Sequence, residues 1–325
     1  MRKLIAIVSG DPNSINSEII AKTWKRKKIF KGLNFFIIGN FILLKKQFKK
    51  LDIKIKVEKI DQITNRNFKK KLYIYDVPLK FKNPFKVSNH NKQNYINKSL
   101  KIAFQLISQN KITGLINCAM DKKDVANRKN VYGVTELLAS KSNVLGKEVM
   151  LIYNNSLSVS PITTHIRLRD VTKNISTKKI IGKIITISNF FKTKLGKKVK
   201  IGVLGLNPHN DEFRKNSEEN KIIKPAILYL KKKKIDIEGP ISADTAFIDY
   251  KKRGYDVLIG MYHDQVLTPF KSIFNFNAIN ITLGLPFIRV SPDHGTGRDI
   301  VMKNKGNPRS LIESINFFKK INVKT

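Results

Sequence analysis

The sequence contains one cysteine, Cys118, so no disulfide can close within the chain, and a small disulfide-stapled scaffold is excluded. A lone thiol fits a reducing compartment, and a cytoplasmic location is expected. No apolar run approaches the roughly 18 residues that a membrane-spanning helix needs. The apolar start, Leu4 to Val8, gives way at once to Ser9-Gly10-Asp11-Pro12, too short for the core of a secretory signal. No segment supplies G-x-G-x-x-G or a phosphate-binding P-loop. The nearest, Gly295-Thr296-Gly297-Arg298-Asp299-Ile300, lacks the third glycine, which leaves a Rossmann dinucleotide site unsupported. It reads equally as an anion-cradling turn or as a plain turn before the last helix. Repeats are absent, as are linkers rich in Gly, Pro or Ser.

Acidic residues are scarce: 24 against 63 basic ones, a formal net charge of +39. Arginine is scarce too, 11 against 52 lysines. Readers of base edges and bidentate phosphate contacts favour Arg. The lysines are scattered, with only short clusters such as Lys231 to Lys234, and Asn and Ile are abundant beside them, as an AT-rich coding sequence produces. The excess reads as surface drift that steers small anions, with no specific nucleic-acid partner and no membrane. A polyanion-binding protein on a decayed enzyme scaffold is the distant alternative.

The 325 residues, 41% of them hydrophobic, suffice for two modest domains with buried cores. Short β-branched runs alternate with helical periodicity throughout. Leu4–Val8, Phe35–Ile38, Gly114–Cys118, Val149–Tyr153, Leu157–Thr163, Val199–Leu204, Val257–Ile259 and Ile279–Thr282 read as strands, and Asp293 follows a further apolar strand. Ile96 to Ile107 and Ile180 to Phe191 read as helices. Pro308 and Ser310-Leu311-Ile312-Glu313 read as a helix start with a capping box. Lys80–Lys92 reads as an exposed irregular loop and His90 as surface. The alternation predicts an α/β fold with largely parallel sheets.

Open α/β sheets present ligands at the carboxyl ends of their strands. His165, His209 and His263 each fall just past a different predicted strand. Neutral imidazole is the commonest transition-metal ligand, and three histidines with open positions suit a catalytic divalent ion. Spacing alone equally admits three unrelated loop histidines.

Several strings then occur in one order: Thr163-Thr164-His165, Leu168-Arg169-Asp170, Gly205-Leu206-Asn207-Pro208-His209, Ala243-Asp244-Thr245, Tyr262-His263-Asp264-Gln265, Asn280 to Arg289, and Asp293-His294-Gly295-Thr296. In these the chain resembles the 4-hydroxythreonine-4-phosphate dehydrogenase family along its length, most strongly from 160 to 300. The resemblance implies a two-lobed α/β/α sandwich similar to isocitrate and isopropylmalate dehydrogenases. The lobes are expected at 1–125 plus about 290–325 and at 126–289, with the active site in the cleft between. It further implies a homodimer, NAD bound without a Rossmann fingerprint, and a divalent cation (Zn, Mg or Co) on His165, His209 and His263. The substrate contacts it implies are Thr135, Lys271, Asn280 and Arg289, with catalytic roles for Lys122 and Asp244. The substrate would be a small phosphorylated amino acid, 4-phosphooxy-L-threonine, oxidised at its 3-hydroxyl to a keto acid that decarboxylates, in pyridoxal phosphate synthesis. A related dehydrogenase of another phosphorylated hydroxy acid is the near alternative.

Three departures from the family pattern lie in the first half. Val134 stands where a substrate-contacting His is usual, and valine can neither donate a hydrogen bond nor carry charge. In Gly10-Asp11-Pro12-Asn13-Ser14-Ile15-Asn16-Ser17-Glu18, two glycines and a proline are replaced, at Ser14, Asn16 and Ser17. Asp121, before Lys122, replaces another His.

Overall fold

Strand residues here point alternately to two buried faces, and each face acquires its own helices. The computed structural model describes residues 3–63, 68, 70–125 and 133–322. Its elements in chain order begin with β1 (Lys3–Val8), α1 (Asn16–Lys25), β2 (Leu33–Gly39), α2 (Phe41–Lys50), β3 (Val57–Ile60) and β4 (Leu72–Asp76). Then come α3 (Asn89–Ser108), β5 (Gly114–Asn117), α4 (Lys122–Val125), α5 (Val134–Lys141), β6 (Val149–Tyr153), β7 (Ser158–Pro161), α6 (Val171–Asn174) and α7 (Thr177–Lys194). The chain continues through β8 (Ile201–Leu204), α8 (Lys224–Lys232), β9 (Ile237–Ile241), α9 (Ala243–Asp249), β10 (Val257–Gly260), α10 (His263–Phe274) and β11 (Ile279–Leu283). It closes with β12 (Ile288–Pro292) and α11 (Arg309–Lys320).

Two units form: Met1–Glu148 with Leu285–Ile321, and Val149–Gly284 with Asn322–Thr325. The sequence predicts the divisions near 125 and 290. In the structure α5 belongs to the first unit, because Val134 and Leu138 sink into that unit's core beside Tyr95, Ile96 and Val125. Thr135 therefore sits in the first unit.

In the first unit the strand order is β3-β4-β2-β1-β5-β12, parallel at every described pairing. Ala6, Val8, Phe36 and Ile38 face α3. The opposite face meets α1 and α11: Trp24 packs edge-on against Phe35 at 5.5 Å, and a side chain at Gly114 would strike the Phe318 ring. That close approach is why only glycine fits there. In the second unit the order is β11-β6-β7-β10-β8-β9. The β11–β6 and β6–β7 pairs are antiparallel and the rest parallel. Ile152, Val159, Leu204 and Leu258 pack with α9 and α10 through Phe247, Val266 and Phe270. On the other face lie α7 and α8, which contact β6, β11 and β9. Each unit is thus an α/β/α layer structure, the predicted class. None of the described helices is long and apolar enough to cross a membrane.

Two local expectations fail. Lys80–Lys92 is not an exposed loop throughout, because Phe85, Val87 and Lys92 are buried and α3 already starts at Asn89. The Ser310 hydroxyl does not cap α11. It accepts the Asp293 backbone N–H at 2.7 Å, and the N-cap position falls on Pro308, with no side-chain cap. His90 is exposed, as expected.

Candidate active site

In the first unit, β1, β5 and β12 lie side by side and deliver their polar residues at one sheet end. Arg289, on β12 opposite Leu115, is 4% exposed. Its Nε donates to Asn117 Oδ1 at 2.7 Å, and its Nη1 donates to Thr135 Oγ1 at 3.2 Å. Burial brings the guanidinium down to about 10, against the pull of the Glu136 carboxylate, so it remains charged at neutral pH. Thr135 lies in the first turn of α5. Lys122 opens α4, is exposed, and passes its side chain beside Gly133. Three predicted residues, Lys122, Thr135 and Arg289, therefore gather in this unit.

The departures from the family pattern acquire partners here. Val134 is 8% exposed and packs in the apolar cluster. Ser14 and Asn16 have no positive φ, so the backbone does not require glycine at either position. The Ser14 hydroxyl donates to the Asp11 carbonyl at 2.5 Å, and the Asn16 amide donates to the Ala119 carbonyl at 2.7 Å. Asp121 accepts from Arg298 at 2.8 Å. Asp11 accepts from Arg298 at 3.1 Å, and Lys92 pairs with Asp124 at 2.8 Å.

Asp11, Asp121 and Asp124 form the only trio of potential ligands, among the described residues, whose ligand atoms all lie within 4.8 Å of one another. Lys92 and Arg298 already offset two of its three negative charges, so this is a salt-bridge network in which a further cation would compete with two bound positive charges. Cys118 offers no nucleophile: it is fully buried, and burial pushes its thiol up to about 12.

His165, His209 and His263 belong to the second unit, past the ends of β7, β8 and β10. His165 and His209 have φ values of 43° and 48°. His209 begins five successive left-handed residues, His209 to Phe213, a conformation costing about 1–2 kcal/mol per residue. Glu219 supports the approach to this turn. Fully buried, its carboxylate accepts from the Leu206 and Asn207 backbone amides at 2.7 and 2.9 Å. Burial raises its pKa, but the Asn207 and Leu206 hydrogen bonds outweigh that and hold it below the usual carboxylate range.

The His165 and His263 rings lie 5.8 Å apart between centroids. His263 Nδ1 is 2.6 Å from Asp264 Oδ1, which leaves Nε2 as the outward nitrogen. His209 Nε2 lies 3.9 Å from Asp244 Oδ2. The structure thus pairs His165 with His263 and His209 with Asp244, while the three imidazoles do not all come within 4.8 Å of one another. Lys271 lies in the last turn of α10, exposed, and Asn280 on β11, half-buried. As a donor set, three imidazoles at strand ends, one oriented by a carboxylate, fit a divalent transition metal. Asp264 and Glu219 carry no role in the sequence reading. The signal for Asp264 was its adjacency to His263; Glu219 has no local signal, since its partners lie 12 and 13 residues upstream.

The sequence profile described as "Pyridoxal phosphate biosynthetic protein PdxA" matches residues 31–318. A 4-hydroxythreonine-4-phosphate dehydrogenase of Sulfurihydrogenibium sp. is 39% identical over 318 residues, covering 96% of each chain. A D-threonate 4-phosphate dehydrogenase of Salmonella typhimurium is 31% identical over 320 residues, covering 96% of this chain and 97% of its own. A crystal structure of 4-hydroxythreonine-4-phosphate dehydrogenase from Klebsiella pneumoniae superposes with a TM-score of 0.83 at 28% identity, covering 97% of this chain and 98% of that one.

Proposed function

Because the chain belongs to the PdxA family of pyridoxal phosphate biosynthetic proteins, we propose that it oxidises the 3-hydroxyl of 4-phosphooxy-L-threonine with NAD as hydride acceptor. His165, His209 and His263 would hold a divalent cation. The observation that carries this reading is the full-length likeness to a named dehydrogenase, together with retention of all three histidines at the carboxyl ends of β7, β8 and β10.

A divalent ion on these histidines supplies Lewis-acid polarisation of the reacting oxygen, and nicotinamide supplies the hydride acceptor. The chain's own residues do the rest. Arg289 stays cationic and offers a planar fork to a phosphate or carboxylate, as only Arg does bidentately. Thr135 receives a hydrogen bond from Arg289 through its oxygen, so its O–H remains free to donate to the same anion. Lys271 adds a point charge and Asn280 a neutral donor. Lys122 and Asp244 are the groups assigned to proton transfer at the hydroxyl and at the carbon left by CO₂. Asp264 fixes the tautomer of His263 through Nδ1. A homodimer in the cytoplasm accompanies this assignment.

The second reading keeps the chemistry and changes the substrate to a phosphorylated threonate. It is favoured by the Salmonella typhimurium relative and by Val134 lying in the core. Steady-state NADH formation from 4-phosphooxy-L-threonine and from D-threonate 4-phosphate, each with added divalent metal, separates the two. A higher kcat/KM for the amino acid supports the first reading, and the reverse order supports the second.

A further inference from the structure

The three histidine loops are separate in sequence, yet they meet at one residue, Met261. The Met261 N–H donates to Gln265 Oε1 at 2.6 Å. The Met261 carbonyl accepts both the Thr163 N–H, at 3.1 Å, and the Thr163 hydroxyl, at 2.7 Å. Gln265 Nε2 in turn donates to the Gly205 carbonyl at 2.7 Å. Thr163 lies two residues before His165, Met261 two before His263, and Gly205 four before His209. A single carboxamide therefore spans the ends of β8 and β10, and the residue it grips holds the end of β7 through its carbonyl. The primary amide serves both ends, since it presents an acceptor to Met261 and a donor to Gly205 at once. The fit is close: a side chain at Gly260 would lie 2.9 Å from Gln265 Oε1.

We propose that Gln265 is a positioning residue that couples the histidine-bearing loops, fixing the His209 loop against the His263 and His165 loops. The coupling is a property of the polypeptide alone. Its consequence for metal binding depends on the metal assignment proposed above. Backbones at His165 and His209 sit in the left-handed region, where most residues do not stay without support, so release of the clamp frees the imidazoles to move apart.

The chain has five histidines, few enough to follow one by one in imidazole proton–nitrogen NMR spectra assigned by His→Ala variants. In the metal-free protein, Gln265→Met, which keeps the length but neither hydrogen bond, is expected to shift or broaden the His209 signal while leaving His90 unchanged. His209 is the diagnostic, because it lies far from the substitution in sequence. Co²⁺ titrated alone, followed by its visible spectrum, is expected to bind about 10–100-fold more weakly, the range for losing an outer-shell partner. Gln265→Glu, which keeps the acceptor for Met261 and loses the donor to Gly205, serves if the Met variant does not fold, and is expected to move His209 as well. An unmoved His209 signal in a folded variant overturns the coupling, and if the His→Ala variants still lose Co²⁺ the metal assignment survives it. A moved His209 signal, with Co²⁺ binding insensitive to His165→Ala, supports the coupling and overturns the metal assignment.

Discussion

The two units hold their polar chemistry in opposite ways. In the first, the side chains of Asp11, Lys92 and Asp124 are 0, 5 and 4% exposed, and Arg289 is equally buried. In the second, His209 is 71%, Asp244 61% and Asp264 79% exposed, and only His263, at 34%, is partly covered among the three histidines. Buried charges must have every partner in place before a ligand arrives, since an unpaired one costs several kcal/mol. Under the proposed function, the first unit would supply a preorganised anion site whose residues are also structural. Exposed imidazoles bear no such penalty, and their order comes from the backbone loops beneath them. The same contrast explains where the chain departs from its family. The first-half substitutions each bring a local partner: Arg298 for the partly exposed Asp121, the Ala119 carbonyl for Asn16, the apolar core for Val134.

On this contrast, substitutions of the buried first-unit charges cost stability and activity together, and those of the exposed His165 and His209 cost function alone. The largest effect is expected at Arg289. Arg289→Leu should lower kcat/KM by roughly two to three orders of magnitude, the range for truncating a buried charged partner. Arg289→Lys should not restore it, because the fork to Asn117 and Thr135 is lost. Next come the histidines. Replacing His165, His209 or His263 by Ala should weaken Co²⁺ binding at least as much as the about 10–100-fold of an outer-shell loss. Unfolding free energies from urea titration should stay within roughly 0.5 kcal/mol for the exposed His165 and His209. A large drop in stability there would break the comparison.

Third, Val134→His, which reinstates the family residue, should destabilise by about 1–3 kcal/mol by burying an unpartnered imidazole, read from urea unfolding. Unchanged stability would place that side chain outside the core.

The smallest effect concerns His294. Burial lowers its pKa below the ordinary 6.5, against the Gly295 carbonyl and Asp293, and its Nε2 has no partner among the described residues. The unfolded chain then takes up this proton first as pH falls. Stability from His294 is full above about 6.5 and declines below it until the lowered folded value is reached. Unfolding free energy measured across that window should slope less in His294→Gln.

Much of the fold was legible because buried parallel strands are short β-branched runs. Val149–Tyr153 coincides with β6, and Phe35–Ile38 lies inside β2. The strands that escaped had other signals on them. β9 carries Gly239-Pro240, which reads as a turn, and β3, Val-Glu-Lys-Ile at the sheet edge, is too polar to show. At the site, residue identity and strand-end placement were readable for Arg289, Thr135 and the histidines. What holds them was not. Glu219, Gln265 and Asn117 act across 12 to 172 positions of sequence, and such partnerships exist only once the chain has folded.

The central claim is a dehydrogenase whose turnover depends on a cation at exposed histidines. Its most direct test is NADH formation from the preferred phosphorylated substrate by protein stripped with a chelator, before and after Co²⁺ is returned. The account predicts that turnover disappears on stripping, returns with Co²⁺ in the unmodified protein, and fails to return in His209→Ala. Full turnover by the stripped protein, or equal recovery in His209→Ala, would contradict it.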